Sequence, residues 1–291
     1  MNILIMGGTR YFGVHMVSEL LENGHEITLA TRGNTKDPFG EKVHRLYFDR
    51  TNKEEVNHAL HGKSFDVICD NIAYSSNEVE YLLSTVSCKK YILTSTMSVY
   101  KKMSLDTKEE EFSPLEHELI LCDRTDFPYD EIKRQAECVL LQKHSNIASA
   151  VVRFPFVIGE DDYTNRLYYY VEHVVNGLPM HIDNTKERIG FIHSKDAGKF
   201  LAWVAQSDVT GIYNAYNERT FSLQEIIDYV SKKMNQCAII STDGEASPYN
   251  GVKSYSLNID RAKKIGYSFP TADTYMYELL DSYIARAIES R

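Results

Sequence analysis

The first half of the chain alternates between short apolar runs and longer amphipathic stretches. Apolar runs rich in β-branched residues predict strands at residues 2–6, 26–31, 43–47, 66–70, 91–94 and 148–154. Between them, apolar positions three and four residues apart predict helices at residues 14–23, 53–61, 76–87 and 130–144. Strands and helices in turn predict an α/β fold, a doubly wound parallel sheet with helices on both faces.

The pattern becomes shorter and less regular after Gly159. It predicts helices at residues 165–175, 194–206, 223–234, 258–264 and 274–287, with short strands between them. We therefore expect one domain over residues 1–158 and a smaller α/β domain over residues 159–291. The smaller domain would cover the carboxyl edge of the sheet, where open α/β folds bind ligands, and parts of it would pack back on the first.

Periodicity fails between residues 101 and 127. This segment is acidic and contains Pro114. Two interpretations remain open: a lid or partner surface beside a site, or a solvated connection whose charges only keep it soluble.

Composition and charge argue against several classes of protein. With 43% hydrophobic and 25% charged residues among 291, the chain has the composition of an ordinary globular protein. The net charge of −9 and the lack of a basic run argue against a nucleic-acid partner. No apolar stretch reaches the roughly 18 residues of a membrane span. The five cysteines form no CxxC pair and no metal-ligand cluster, which indicates reduced thiols, a cytoplasmic protein and no metal site.

The first predicted strand runs directly into a glycine turn that opens a helix. Backbone N–H groups of such a turn, with the positive end of the helix dipole, accommodate a diphosphate, so the pattern predicts a dinucleotide site. Gly13 has an alternative role in close packing of helix on strand. The turn residues expected to touch the dinucleotide are Gly7, Thr9, Arg10, Tyr11, Phe12 and Gly13.

The end of the second strand favours NADP(H) over NAD(H). The sequence there is Thr31-Arg32, with no carboxylate to repel a 2′-phosphate. Arg32, together with Arg10, offers planar cations that suit a phosphate, although both arginines could simply be exposed. Asp49 either accepts from the adenine amino group or caps a turn. Further cofactor contacts are expected at the strand ends, from Thr31, Arg50, Asn71, Ile72, Ala73, Thr94, Phe154 and Phe156.

Tyr129 and Lys133 are four residues apart and share one face of a predicted helix. A phenol with a pKa of about 10 is a poor base, and a fixed ammonium group nearby favours its phenolate form. The pair could also be an ordinary helix start. The strand at residues 91–94 leads into a hydroxyl-rich end, where Thr96 can hydrogen-bond a substrate oxygen opposite the tyrosine.

The order of glycine turn, hydroxyl-tipped strand and Tyr/Lys helix resembles the extended short-chain dehydrogenase/reductases of the NAD-dependent epimerase/dehydratase type. The segments 153–159 and 191–197 are similar to further motifs of that family, and the likeness covers nearly the whole chain. It implies a Rossmann sheet, a catalytic set of Thr96, Tyr129 and Lys133, and the capacity to form a homodimer. In place of the asparagine that often contacts a nucleotide sugar, this chain has Phe156-Val157.

A narrower similarity covers Gly7 to Arg10 and the segments 66–70 and 188–190. These resemble a little-characterised bacterial branch related to plastid stem-loop RNA-binding proteins.

The resemblance implies an NAD(P)-dependent enzyme that transfers a hydride between nicotinamide and a carbonyl or alcohol carbon of a small molecule, with a nucleotide sugar as one candidate. Residues 1–158 would hold the cofactor and residues 159–291 most of the substrate. Whether the hydride returns to the same substrate stays open. The alternative is a non-catalytic NADP(H)-binding regulatory or RNA-binding protein on the same fold. The residues expected to bind substrate are Thr96, Tyr129, Arg166 and Arg188.

Overall fold

The computed structural model describes residues 1–291. Its strands are β1 (Asn2–Met6), β2 (Glu26–Thr31), β3 (His44–Tyr47), β4 (Ser64–Asp70), β5 (Ser87–Thr96), β6 (Ala148–Phe154), β7 (Phe156–Ile158), β8 (Pro179–His181), β9 (Arg188–His193), β10 (Gly211–Asn214), β11 (Asn217–Ser222), β12 (Ile239–Ile240) and β13 (Glu245–Ala246). Its helices are α1 (Phe12–Glu22), α2 (Lys53–Leu60), α3 (Ser76–Leu83), α4 (Tyr129–Cys138), α5 (Arg166–Asn176), α6 (Ser194–Gln206), α7 (Leu223–Met234), α8 (Asp260–Lys264) and α9 (Met276–Glu289).

Seven parallel strands form the main sheet, in the order β10-β6-β5-β4-β1-β2-β3. Alternate residues of β1 enter two different cores: Ile3 and Ile5 pack on one face of the sheet, Leu4 and Met6 on the other. Helices cover both faces, so the predicted doubly wound α/β fold is confirmed. The chain turns in opposite directions from β1, to β2 on one side and to β4 on the other, and the carboxyl ends of β1 and β4 border a crevice.

The start of β5 differs from the prediction. The helix expected to reach residue 87 ends at Leu83, and the strand begins at Ser87 instead of residue 91. Lys90 lies inside the strand and is only 8% exposed. Its ammonium group donates to the carbonyls of Val204 (2.6 Å) and Ser207 (2.7 Å) at the end of α6. A lysine interrupts the apolar run from which a strand is predicted. Because the partners of the Lys90 ammonium group lie far away in the sequence, the hydrophobic pattern does not show that the strand begins before residue 91.

The later part of the chain shares the main sheet with the earlier part. β10 pairs with β6 in parallel, and α6 packs against α1. Two small sheets, β11-β9-β7 and β12-β8-β13, complete this region. A domain boundary at residue 158 stays a prediction.

Residues 101–127, here called the strap, are held tightly against the body of the protein. Thr107 and Leu257 form a parallel bridge, and the Thr107 N–H donates to the Ser256 carbonyl at 2.9 Å. Glu109 and Cys122 are buried, with 2% and 1% of their surface exposed. The strap is therefore built into the fold along much of its length.

None of the helices combines the length and the apolar character needed to cross a bilayer.

Candidate functional site

A cleft of about 580 Å³ opens at the carboxyl ends of the central strands, within the usual range for small-molecule sites. The glycine turn, the ends of β2, β4 and β5, and the start of α4 line it. The expected site residues that line it are Gly7, Thr9, Arg10, Tyr11, Phe12, Thr31, Arg32, Asp49, Arg50, Asn71, Ile72, Thr94, Thr96, Tyr129, Lys133 and Phe154. Those that do not are Gly13, Ala73, Phe156, Arg166 and Arg188.

The glycine turn has the backbone that a close approach requires. Gly7 has a φ of 78°, and Tyr11, a residue with a Cβ, has a φ of 57°. The Tyr11 phenol donates to the Val157 carbonyl, and burial raises the pKa of Tyr11. A Cβ on Gly13 would lie 2.9 Å from the Gly7 oxygen, so Gly13 serves helix packing. A strained residue held in place by a distant carbonyl is typical of a functional turn.

The start of α1 offers free backbone donors. No side chain caps the helix, and its first turn contains no acidic residue. Within this turn the Gly13 and Val14 N–H groups donate to the carbonyls of Arg10 (3.1 Å) and Tyr11 (2.9 Å). The N–H groups of Tyr11 and Phe12 have no such acceptor, and an anion can supply one. The donor set of the turn therefore fits a dinucleotide diphosphate.

The floor of the cleft is a short hydrogen-bond chain across three strand ends. The Thr94 hydroxyl donates to the Asn71 side-chain oxygen at 2.9 Å, and the Asn71 amide donates to the Gly7 carbonyl at 2.9 Å. The Asn71 N–H donates to the Met6 carbonyl at 3.0 Å. These bonds set the ends of β1, β4 and β5 in fixed relative positions.

Lys133 is buried beneath the cleft with 5% of its surface exposed. Its Nζ donates to the carbonyls of Ala73 (2.7 Å) and Thr94 (2.8 Å). Burial lowers the pKa of Lys133 to about 8, because the charged form loses water. Two of the three ammonium donors are thus used, and one is left for a ligand. Ala73 takes part in the site through its carbonyl oxygen.

Tyr129 and Thr96 line the same cleft as Lys133. Loss of water around the phenol raises the pKa of Tyr129, whereas a hydrogen bond with the Thr96 hydroxyl and the charge of Arg166 lower it. The Thr96 hydroxyl also accepts from the Ser98 N–H at 3.2 Å. The structure therefore brings the phenol, the hydroxyl and the ammonium group together.

The end of the cleft at β2 and β3, where the sequence analysis expects adenosine, combines free and neutralised charges. Arg32 is exposed, and its guanidinium makes no ion pair or hydrogen bond. Hydrogen bonds from Thr51 lower the pKa of Asp49, and Arg32 lowers it further, so this carboxylate both caps a turn and lines the cleft. Arg50 is buried and pairs with Asp70 and Glu78, which neutralise its charge.

Three of the five expected residues outside the cleft have side chains with surroundings of their own. Phe156 packs against Tyr249, with ring centroids 4.8 Å apart. Arg188 donates to the Thr220 hydroxyl (2.9 Å) and carbonyl (2.6 Å) and pairs with Glu225 at 3.2 Å. Arg166 is exposed at the first position of α5, unpaired, with its guanidinium 5.8 Å from the Phe156 ring. Only Arg166 of these side chains keeps a charge available beside Tyr129.

Tyr74 and Arg124 are among the cleft residues that the sequence analysis did not single out. Tyr74 directly follows the strand-end residues 71–73, and that position could have indicated it. Arg124 belongs to the strap, which has no periodicity, so no local signal connects it with the cleft.

Comparison with known proteins identifies a related family. Residues 3–81 match the model of the NAD dependent epimerase/dehydratase family. The predicted resemblance to that family is confirmed.

Solved structures share the fold over nearly the whole chain. A UDP-glucose 4-epimerase of Thermus thermophilus in complex with NAD gives a TM-score of 0.73 at 17% identity, covering 97% of this chain and 99% of that chain. A UDP-glucose 4-epimerase of Thermotoga maritima with UDP-glucose gives 0.76 at 16% identity, covering 99% and 100%. A dTDP-glucose 4,6-dehydratase of Bacillus anthracis str. Ames with NAD gives 0.71 at 18%, covering 97% and 96%. At these identities the likeness establishes the Rossmann-type fold.

One curated relative is named for stem-loop binding and not as an epimerase or dehydratase. The chloroplast stem-loop binding protein of 41 kDa b from Arabidopsis thaliana is 28% identical over 212 residues, which cover 67% of this chain and 52% of that protein. The chain spans about half the length of this relative.

Proposed function

We propose that this protein is an NAD(P)-dependent enzyme of the epimerase/dehydratase type that acts on a carbonyl or alcohol carbon of a small molecule. The observation that carries the proposal is a single cleft containing the glycine turn, Thr96, Tyr129 and Lys133. Whether the hydride is returned to the same substrate or released with the cofactor decides between an epimerase or dehydratase and a reductase.

Bound NAD(P) supplies a carbon that accepts or donates a hydride. Tyr129 exchanges a proton with the substrate oxygen, and the Thr96 hydroxyl holds that oxygen by a hydrogen bond. Lys133, with a pKa of about 8, is protonated at neutral pH, and its remaining donor would hold the nicotinamide ribose of a bound dinucleotide. The charge of Arg166 favours the Tyr129 phenolate.

NADP(H) is the cofactor that we propose in preference to NAD(H). Arg10 and Arg32 both line the cleft, both are exposed, and neither guanidinium forms an ion pair. A planar cation without a partner suits a 2′-phosphate, which NAD lacks. The family name and the structures with bound NAD support a nicotinamide dinucleotide in general.

Nucleotide sugars are the first substrate class to test. One similar structure holds UDP-glucose. In this chain Arg166 is an unpaired cation close enough to Tyr129 to lower its pKa, and it could pair with an anionic group of such a substrate. Oxidation of NADPH with aldehydes and ketones is the second screen.

The proposal is tested with Tyr129→Phe, which removes the proton-exchanging hydroxyl. Turnover should fall about 10²- to 10⁴-fold, the usual contribution of a general acid–base group, while cofactor affinity stays unchanged. Tyr277→Phe, a change on the exposed face of α9, is the matched control and should leave turnover unchanged. Full turnover in Tyr129→Phe would overturn the proposed mechanism.

RNA binding is the competing function, because the curated relative is named as a stem-loop binding protein. A nucleic-acid mobility-shift assay at moderate salt separates the two. Strong RNA binding, unchanged in Tyr129→Phe and accompanied by no turnover in either screen, would favour that function over the enzyme.

A further inference from the structure

Arg124 reaches the cleft from the strap, a segment without periodicity that precedes α4. Its Nη2 donates to the Ile72 carbonyl (3.1 Å) and to Glu78 (3.0 Å), and its Nε also pairs with Glu78. The guanidinium carbon lies 4.3 Å from the centroid of the Tyr74 ring. Nη1 has no partner, so one edge of the guanidinium keeps its donors free.

The strap holds Arg124 in this place before any ligand arrives. The Ser76 hydroxyl donates to the Ile120 carbonyl (2.8 Å) and accepts from the Cys122 N–H (2.8 Å). The Asn77 amide donates to Asp123 at 2.8 Å. Three bonds from the start of α3 thus fix the residues just before Arg124. A cation held in position loses little conformational entropy when it binds an anion.

Arg124 lies close to the part of the cleft that a diphosphate would enter. Ile72, whose carbonyl Arg124 contacts, packs on the glycine turn, since a Cβ on Gly7 would lie 2.5 Å from Ile72 Cγ2. The charge of Arg124 also extends to the adenosine side, because it helps Arg32 to lower the pKa of Asp49. Arg124 therefore stands between the turn and the adenosine end.

Arg124 is also the cation of this region that solvent reaches. Arg50 is 5% exposed and is paired with Asp70 and Glu78, whereas the Arg124 side chain is 39% exposed. An anion in the cleft can therefore approach the free edge of Arg124 without displacing a protein partner.

We propose that Arg124 is a phosphate clamp that binds the diphosphate of the dinucleotide through its free Nη1 edge. This inference rests on the proposed function, because it needs a dinucleotide in the cleft. The strap would then be a binding element of the site, in addition to connecting β5 with α4.

The test measures the affinities of the purified full chain for NAD and NADP by calorimetry, in wild type, Arg124→Met and Arg124→Lys. A diphosphate clamp predicts that Arg124→Met weakens both cofactors to the same extent, by about 10- to 100-fold. Arg124→Lys keeps the charge and loses the planar fork, so its loss should be smaller and steeper with salt.

Arg286→Met is the matched control. Arg286 also stacks on a tyrosine, with its guanidinium carbon 4.0 Å from the Tyr168 ring, but it lies outside the cleft. It should bind both cofactors like wild type. If Arg124→Met does not fold, as judged by circular dichroism, Arg124→Lys provides the same comparison of NAD with NADP.

Unchanged affinities in both Arg124 variants would overturn the inference while leaving the proposed function intact. A loss confined to NADP would overturn the diphosphate assignment and place Arg124 at the 2′-phosphate. Failure of wild type to bind either cofactor would overturn the proposed function, and the clamp with it.

Discussion

Arg153 and Arg32 lie at the carboxyl ends of two strands of the same sheet, yet their surroundings are opposite. Arg153 is fully buried and uses all five donors: on both oxygens of Glu137 (2.6 and 3.0 Å), the Tyr100 hydroxyl (3.1 Å), and the carbonyls of Glu109 (2.9 Å) and Phe112 (3.1 Å). Arg32 is exposed in the cleft and uses none. Whether its donors are already occupied, more than its position at a strand end, therefore separates an arginine that stabilises the fold from one that can bind a ligand.

Lys133 and Arg188 fall between these extremes. Lys133 is nearly as buried as Arg153 but keeps one donor free and has no carboxylate partner within hydrogen-bond distance. Arg188 is 42% exposed, yet its donors are occupied by Thr220 and Glu225. If the comparison is right, variants of these four residues should separate into effects on stability and effects on binding.

The largest effect is expected from Arg153→Met, which leaves Glu137 charged and buried without its partner. The free energy of unfolding should fall by about 3–5 kcal/mol, measured by urea denaturation. Adding Glu137→Leu should recover much of the loss, because it removes the unpaired charge. A loss below about 1 kcal/mol in the single variant would contradict the assignment of Arg153 to the fold.

The next effect is expected from Arg32→Ser, which removes the cation that we assign to the 2′-phosphate. NADP affinity should fall about 10- to 100-fold and NAD affinity should change little. The free energy of unfolding should stay within about 0.5 kcal/mol of wild type, because the side chain is exposed. Clear preference of wild type for NAD in a thermal-shift comparison would refute the role of Arg32.

Lys133 should produce a pH effect. Its pKa of about 8 in the folded protein lies below the usual value of about 10.4, so the side chain loses its charge as the pH rises through 8. Cofactor affinity should therefore fall by up to about tenfold between neutral pH and about pH 9. Lys133→Arg keeps its charge and should show no such fall; an equal fall in both proteins would assign the titration to another group.

The lowered pKa of Lys133 also determines how the free energy of unfolding depends on pH. Between about pH 8 and 10.4 the unfolded chain binds the Lys133 proton and the folded chain has released it. The contribution of this residue to the free energy of unfolding thus rises with pH across that window, and the cost of burying the charge is present in full below it.

The smallest effect is expected from Arg188→Met. Its ion pair with Glu225 is partly exposed, so the free energy of unfolding should change by no more than about 1 kcal/mol. The KM for substrate should change less than twofold, whereas Arg166→Met should raise it more, because Arg166 has no other partner. A large rise in KM for Arg188→Met would restore the substrate role that its sequence position implies.

The sequence was sufficient wherever the information is local. Strand and helix periodicities depend on residues within a few positions of one another. The glycine turn is likewise recognised from adjacent residues, because the glycines themselves allow the backbone conformation that the turn needs. Tyr129 and Lys133 share a helix face by spacing alone. Thr96 could be predicted as a site residue because a hydroxyl at the carboxyl end of a buried strand must lie at the ligand-binding edge of a parallel sheet. The main sheet and most of the cleft lining were accordingly predictable.

Long-range packing, in contrast, determines which charged groups already have a hydrogen-bond or ion-pair partner within the protein. Arg188 and Arg166 are equally plausible anion-binding residues in the sequence. In the folded protein Arg188 is bonded to Thr220 and Glu225, whereas Arg166 is exposed and unpaired. Lys90 becomes a strand residue because α6 ends beside it. Arg124 reaches the cleft because the strap is hydrogen-bonded to α3. Hydrogen-bond partners distant in sequence leave no periodic trace, so local pattern determines the elements of this protein, and long-range packing determines which charges remain for a ligand.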